Sequence, residues 1–125
     1  KTECDAQMSR FGAVYEYKEW MIFIPLCYPA ILKVHKETYE MKFVPWKESL
    51  LERFPYFAEA NQTVSIFYDF EVVGDALYLL ANNVVIKYNM ESDEISFYKI
   101  RDEERLYTGI VRYNEEFILV DRFYF

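Results

Sequence analysis

Lys33-Val34-His35-Lys36-Glu37-Thr38-Tyr39-Glu40-Met41-Lys42-Phe43 aligns without a gap with Lys87-Tyr88-Asn89-Met90-Glu91-Ser92-Asp93-Glu94-Ile95-Ser96-Phe97. Lys33/Lys87, Glu37/Glu91, Glu40/Glu94 and Phe43/Phe97 are identical, and Met41/Ile95 keeps an apolar side chain. Each stretch reads as a hairpin: a strand ending near His35 or Asn89, a polar turn, and a second strand through Phe43 or Phe97. His35 stands where Asn89 stands in the second stretch. The lone imidazole is therefore expected to serve the turn rather than chemistry.

Outward from these hairpins, an apolar strand precedes each one: Trp20-Met21-Ile22-Phe23-Ile24 and Ala76-Leu77-Tyr78-Leu79-Leu80. A third such strand is Glu116-Phe117-Ile118-Leu119-Val120. Tyr17-Lys18-Glu19, Gly74-Asp75 and Asn114-Glu115 mark a turn before each, and the strands are expected to be buried on both faces. Earlier strand-like segments occupy residues 13–17, 66–73 and 107–113. Met21 lies 56 residues before Leu77, which lies 40 before Phe117. The sixteen extra residues match the stretch 47–62, whose start, Lys47-Glu48-Ser49-Leu50-Leu51-Glu52-Arg53-Phe54, has helical apolar spacing and stops at Pro55. The unit is thus about 40 residues and four short strands, interrupted once, a period that suits β-propeller blades.

The pattern of turn, apolar strand, short loop and [VI]-x-K-[VY]-x-x-E-[TS]-x-E-[MI]-x-F resembles the degenerate blade repeat of kelch-like and related bacterial β-propellers. It covers about residues 13–125, without the paired glycines of kelch repeats or the Trp-Asp pair of WD40 repeats. The resemblance implies a mostly β fold of antiparallel four-stranded blade-like repeats, propeller-type or partial propeller, with one short helical insertion near 47–62. Residues 1–125 are expected to form a single β-repeat domain of about two and a half units. A closed ring needs at least four blades, roughly 160 residues at this period. The chain is therefore expected to belong to a longer protein, to complete a ring as a homo-oligomer, or to close as a small sandwich or barrel. It starts at Lys1 rather than Met, so trimming, a fragment boundary and a removed leader are all open readings.

Composition narrows the function. With 125 residues, 53% apolar and 20% aromatic, the chain can bury a sizeable core. A net charge of −7 argues against nucleic acid, whose phosphates need clustered Lys and Arg. The acidic runs Glu91–Glu94 and Asp102–Glu104 read as solvated turns, or as a face that attracts a basic partner. The longest apolar run, Trp20 to Ala30, falls short of the roughly 18 residues of a membrane span. Cys4 and Cys27 offer at most one disulfide and no CxxC, and a single histidine makes a metal site unexpected. Asn61-Gln62-Thr63 is a glycosylation sequon that matters only in a secreted protein.

Glycine-rich phosphate loops, GxSxG, HExxH and EF-hand loops are absent from the sequence, so no cofactor is expected. Asp69, Glu71, Asp75 and Asp121 lie near strand ends, where a glycosidase would keep its pair. No spacing singles out two of them, and Asp121 aligns with Pro25, so catalysis is not expected. The candidate binding residues are Trp46, Tyr56 and Phe57, which flank or sit within the insertion, together with Trp20. Packing of an apolar helix on the sheet edge accounts for Leu50, Leu51, Phe54 and Phe57 at least as well, and is the favoured reading of the insertion. The expected function is a non-enzymatic β-repeat module that binds a protein or surface ligand through loops and aromatic residues. The alternative is a small acidic inhibitor or immunity-type protein that neutralises a basic toxin or nuclease. A protein partner or self-association is expected in both cases.

Overall fold

The computed structural model describes residues 11–26, 28–55, 69–81, 84–100 and 107–121. Cys4, Cys27, Tyr56, Phe57, the sequon, the run Asp102–Glu104 and the part of the insertion beyond residue 55 lie outside the described residues. The chain divides into two compact units, Lys1–Ser65 and Ile66–Phe125.

In the first unit, β1 (Phe11–Tyr17), β2 (Trp20–Pro25), β3 (Ala30–His35) and β4 (Met41–Pro45) form an antiparallel sheet in sequence order, and α1 (Lys47–Arg53) follows. In the second, β5 (Asp69–Val73), β6 (Ala76–Ala81), β7 (Val84–Asn89) and β8 (Ile95–Lys99) form a sheet of the same order. A two-stranded sheet, β9 (Tyr107–Tyr113) with β10 (Glu116–Asp121), completes the unit. The fold is mostly β, in antiparallel four-stranded sheets, and none of the described sheets closes on itself.

Local chemistry sets the strand ends. Two-residue connections join Tyr17 to Trp20, Val73 to Ala76 and Tyr113 to Glu116. Such tight hairpins need positive φ, found at Lys18 (51°), Gly74 (61°), Asn114 (49°) and Glu115 (65°). Only Gly74 adopts it without a steric penalty. Pro55 follows the last helical turn, where its ring and missing N–H forbid continuation. Phe54 closes that turn by donating its N–H to the Leu50 carbonyl at 2.7 Å.

The aligned hairpins share one turn geometry. His35 Nδ1 accepts the N–H groups of Glu37 (3.2 Å) and Thr38 (3.3 Å). Asn89 Oδ1 accepts those of Glu91 and Ser92, both at 2.9 Å. The His35 N–H donates to the Glu40 carbonyl and that of Asn89 to the Glu94 carbonyl, each at 2.9 Å. Tyr39 and Asp93 take the left-handed position in each turn, at φ 62° and 64°. His35→Asn is expected to leave stability nearly unchanged, because an amide oxygen replaces the ring nitrogen as acceptor. His35→Ala should cost about 1 kcal/mol, read as a lower urea midpoint at unchanged slope.

Paired residues across a sheet share a face, so register defines what each side shows. In the second unit, Leu77, Leu79, Ile86 and Tyr88 are fully buried on one face and Ala76 and Leu80 are buried on the other. β6 is thus enclosed on both sides, as an all-apolar strand requires. β10 departs from that expectation: Phe117 is 38% and Ile118 49% exposed. Among the described residues no strand pairs with its far edge, and its Ile118 face is uncovered.

Candidate functional site

The first unit carries two chemically distinct sheet faces. Tyr17, Ile22, Ile24, Ile31, Lys33 and Val44 lie on one and are all buried. The other is crossed by the row Val14–Phe23–Leu32–Phe43 and, beside it, Glu16–Met21–Val34–Met41. Every member but Glu16 is apolar, yet Val14, Met41 and Phe43 are 53%, 56% and 51% exposed. Aromatic rings extend this surface. Phe11 meets Phe23 edge-on at 5.9 Å between centroids and lies 5.0 Å from Tyr28, which lies 6.2 Å from Phe43. Glu16 at the rim pairs with Lys36.

The same face of the second unit, with rows Phe70–Leu79–Ile86–Phe97 and Val72–Leu77–Tyr88–Ile95, has no residue exposed to that degree. The two sheets share a register from β2 to β4 and from β6 to β8, and the apolar face of the first is the more open. Monomeric proteins seldom present a contiguous apolar patch of this kind without a use for it.

Trp20 belongs to the opposite face and is half-buried. Its ring lies 4.8 Å from the Lys33 ammonium and 5.1 Å from that of Lys42, with the His35 ring edge-on at 5.0 Å. Lys33, only 3% exposed, sits where an ammonium would be costly without an electron-rich partner, and the indole face supplies part of one. The second hairpin repeats the device one register step away: Lys87, paired with Tyr78, holds its ammonium 6.0 Å from that ring. This gives a physical reason for the lysine at 33 and 87. It also assigns Trp20 an internal partner.

Trp46, a candidate binding residue on sequence grounds, is fully buried and presents nothing to solvent. It occupies the N-cap position of α1, its N–H donates to the Pro29 carbonyl at 3.1 Å, and its carbonyl accepts the Leu50 N–H at 3.0 Å. With Leu50 also fully buried, the helix packs through these two side chains. Packing, the competing account of the insertion, fits the described part of it. Tyr56 and Phe57 lie outside the described residues, so the structure does not bring the four candidates together.

Two of the carboxylates near strand ends, Asp69 and Glu71, accept backbone hydrogen bonds, and the Asp121 side chain lies outside the described residues. Asp69 Oδ2 accepts the Ile110 N–H at 3.0 Å, and Glu71 Oε2 accepts the Arg112 N–H at 2.6 Å. These bonds run from β5 side chains to the β9 backbone. Asp75 is exposed at a turn. Among the described residues no group of three or more His, Cys, Asp or Glu is placed to hold a metal ion. No described helix is long and apolar enough to cross a membrane.

No protein-family model matches the chain, and no curated protein matches it either.

Proposed function

We propose that the chain is a non-enzymatic β-repeat module that binds another protein through the aromatic sheet face of the first unit. One observation carries the reading: the apolar side chains Val14, Met41 and Phe43 stand half exposed on a face whose two rows hold one polar residue, Glu16. Removing such a face from water contributes roughly 25 cal/mol per Å². Its aromatic content matches the residue types that dominate interface energetics.

A photo-reactive phenylalanine analogue in place of Phe43 is expected to cross-link the partner, and the same analogue in place of the exposed Ser92 is not. Val14→Glu and Met41→Glu should remove the cross-link with little change in thermal midpoint, since both side chains are half exposed.

A second reading, an acidic inhibitor of a basic protein, draws on a different observation. Exposed carboxylates stand at the β3–β4, β7–β8 and β9–β10 turns: Glu37 and Glu40, Glu91 and Glu94, Glu115 and Glu116. A complex built on these groups would weaken steeply with salt, whereas one built on the apolar face would not. Capture at Ser92, abolished by salt and indifferent to Val14→Glu, would favour the acidic reading over the first.

A further inference from the structure

The β3–β4 and β7–β8 turns share one design with a single exchange of chemistry. In each, a side chain at the end of the first strand accepts two backbone N–H groups. His35 Nδ1 takes those of Glu37 (3.2 Å) and Thr38 (3.3 Å), and Asn89 Oδ1 those of Glu91 and Ser92, both at 2.9 Å. Tyr39 and Asp93 donate their N–H groups back to the His35 and Asn89 carbonyls, at 3.0 and 2.8 Å, from the left-handed position. The two acceptors differ in one property. An amide oxygen accepts throughout the ordinary pH range, whereas an imidazole nitrogen accepts only while it carries no proton.

His35 can therefore hold its turn in one form, the neutral ring with its hydrogen on Nε2. A proton on Nδ1 sets a hydrogen against two N–H donors, and both amides lose their acceptor at once. Imidazole is the side chain that ordinarily changes charge between pH 5 and 8, and His35 is the only one in the chain.

The charged groups around the ring come from every neighbouring element. The ring lies edge-on to Trp20 of β2, beside which stand the ammonium groups of Lys33 on β3 and Lys42 on β4. Glu37 and Glu40 in the turn and Glu19 before β2 are exposed to solvent, and Glu16 of β1 is engaged by Lys36. Among the described residues no carboxylate is bonded to the His35 ring, so none replaces the two lost bonds when the ring takes up a proton.

We propose that the first hairpin is a pH-sensitive element: protonation of His35 releases the β3–β4 turn and loosens the start of β4, while Asn89 keeps the equivalent hairpin of the second unit insensitive. The sign follows from which form makes the bonds. They contribute fully where imidazole is neutral and are lost as pH falls through its titration, so acid weakens this hairpin. β4 begins at Met41 and carries Phe43, both on the open face, so the loosening reaches that face. The inference stands on the turn alone and does not depend on the face binding a partner.

The test compares the full chain with its His35→Asn and Asn89→His variants at about pH 8 and about pH 5.5, a range in which ordinary carboxylates stay largely ionised. Nitrogen NMR of the wild-type ring at the higher pH is expected to place the proton on Nε2. At the lower pH, amide exchange at Glu37 and Thr38, corrected for its intrinsic pH dependence, should lose protection roughly fivefold, the equivalent of one hydrogen bond's net contribution. Glu91 and Ser92 should keep theirs. His35→Asn should remove the response from the first hairpin, and Asn89→His should create one in the second, which a general weakening by acid would not do. Equal responses in the wild type and His35→Asn would overturn the proposal. So would a neutral ring protonated on Nδ1, or unchanged protection at Glu37 and Thr38 once the ring spectrum shows His35 charged.

Discussion

Trp46→Ala is expected to destabilise the first unit by about 3–5 kcal/mol, the range for deleting a fully buried aromatic side chain. The indole is 0% exposed and sits at the junction of β4 and α1, with Leu50 equally buried one helical turn on. A seven-residue helix has little stability of its own, because nucleation is costly and few bonds follow it. Packing of these two side chains must therefore hold α1. Trp46→Phe, which keeps a ring in the cavity, should lose much less. Urea unfolding followed by Trp20 fluorescence measures both. A loss under about 1 kcal/mol for the alanine variant would show that the site collapses around the smaller residue.

The second large effect concerns the hairpin of the second unit. Asp69→Ala with Glu71→Ala is expected to cost about 2–4 kcal/mol, since each carboxylate makes a charge-assisted hydrogen bond in a half-buried setting. Two backbone N–H groups of β9 lose their acceptors as well, which adds to the penalty of removing either carboxylate. The two changes touch one strand and should not add simply. Exchange at the Ile110 and Arg112 amides should speed up far more than exchange within β6 and β7. Asp69→Asn with Glu71→Gln keeps carbonyl acceptors at both positions and should recover part of the loss. Uniform acceleration across the unit would mean that the hairpin and the sheet unfold together, and that the carboxylates do not hold one to the other.

Strand positions were legible in the sequence because alternation, turn residues and the aligned stretch 33–43 with 87–97 all pointed to the same hairpins. The helix start at Lys47 and stop before Pro55 were equally plain. The three short turns were legible too, but not their backbone: Lys18 and Glu115 adopt positive φ although neither is a residue type that favours it. The role of His35 followed from its alignment with Asn89. Trp46 was visible as an aromatic beside the insertion, but its burial depends on how β4 delivers it to the core, which composition does not encode. Asp69 and Glu71 stood out as carboxylates near a strand end. Their acceptor role was hidden because the amides they bind are 41 residues away. The open face of the first unit needed the register of four strands before Val14, Phe23, Leu32 and Phe43 came into one row.

The bonds from Asp69 and Glu71 have one more effect on the hairpin. A two-stranded ribbon ordinarily has two adhesive margins, either of which can recruit another strand and pass the invitation onward. Here the β9 margin is already occupied by carboxylates, which accept its amides without offering a ladder of their own. Two of the amides that a further strand would need on that margin are already bonded, which disfavours stacking through β9.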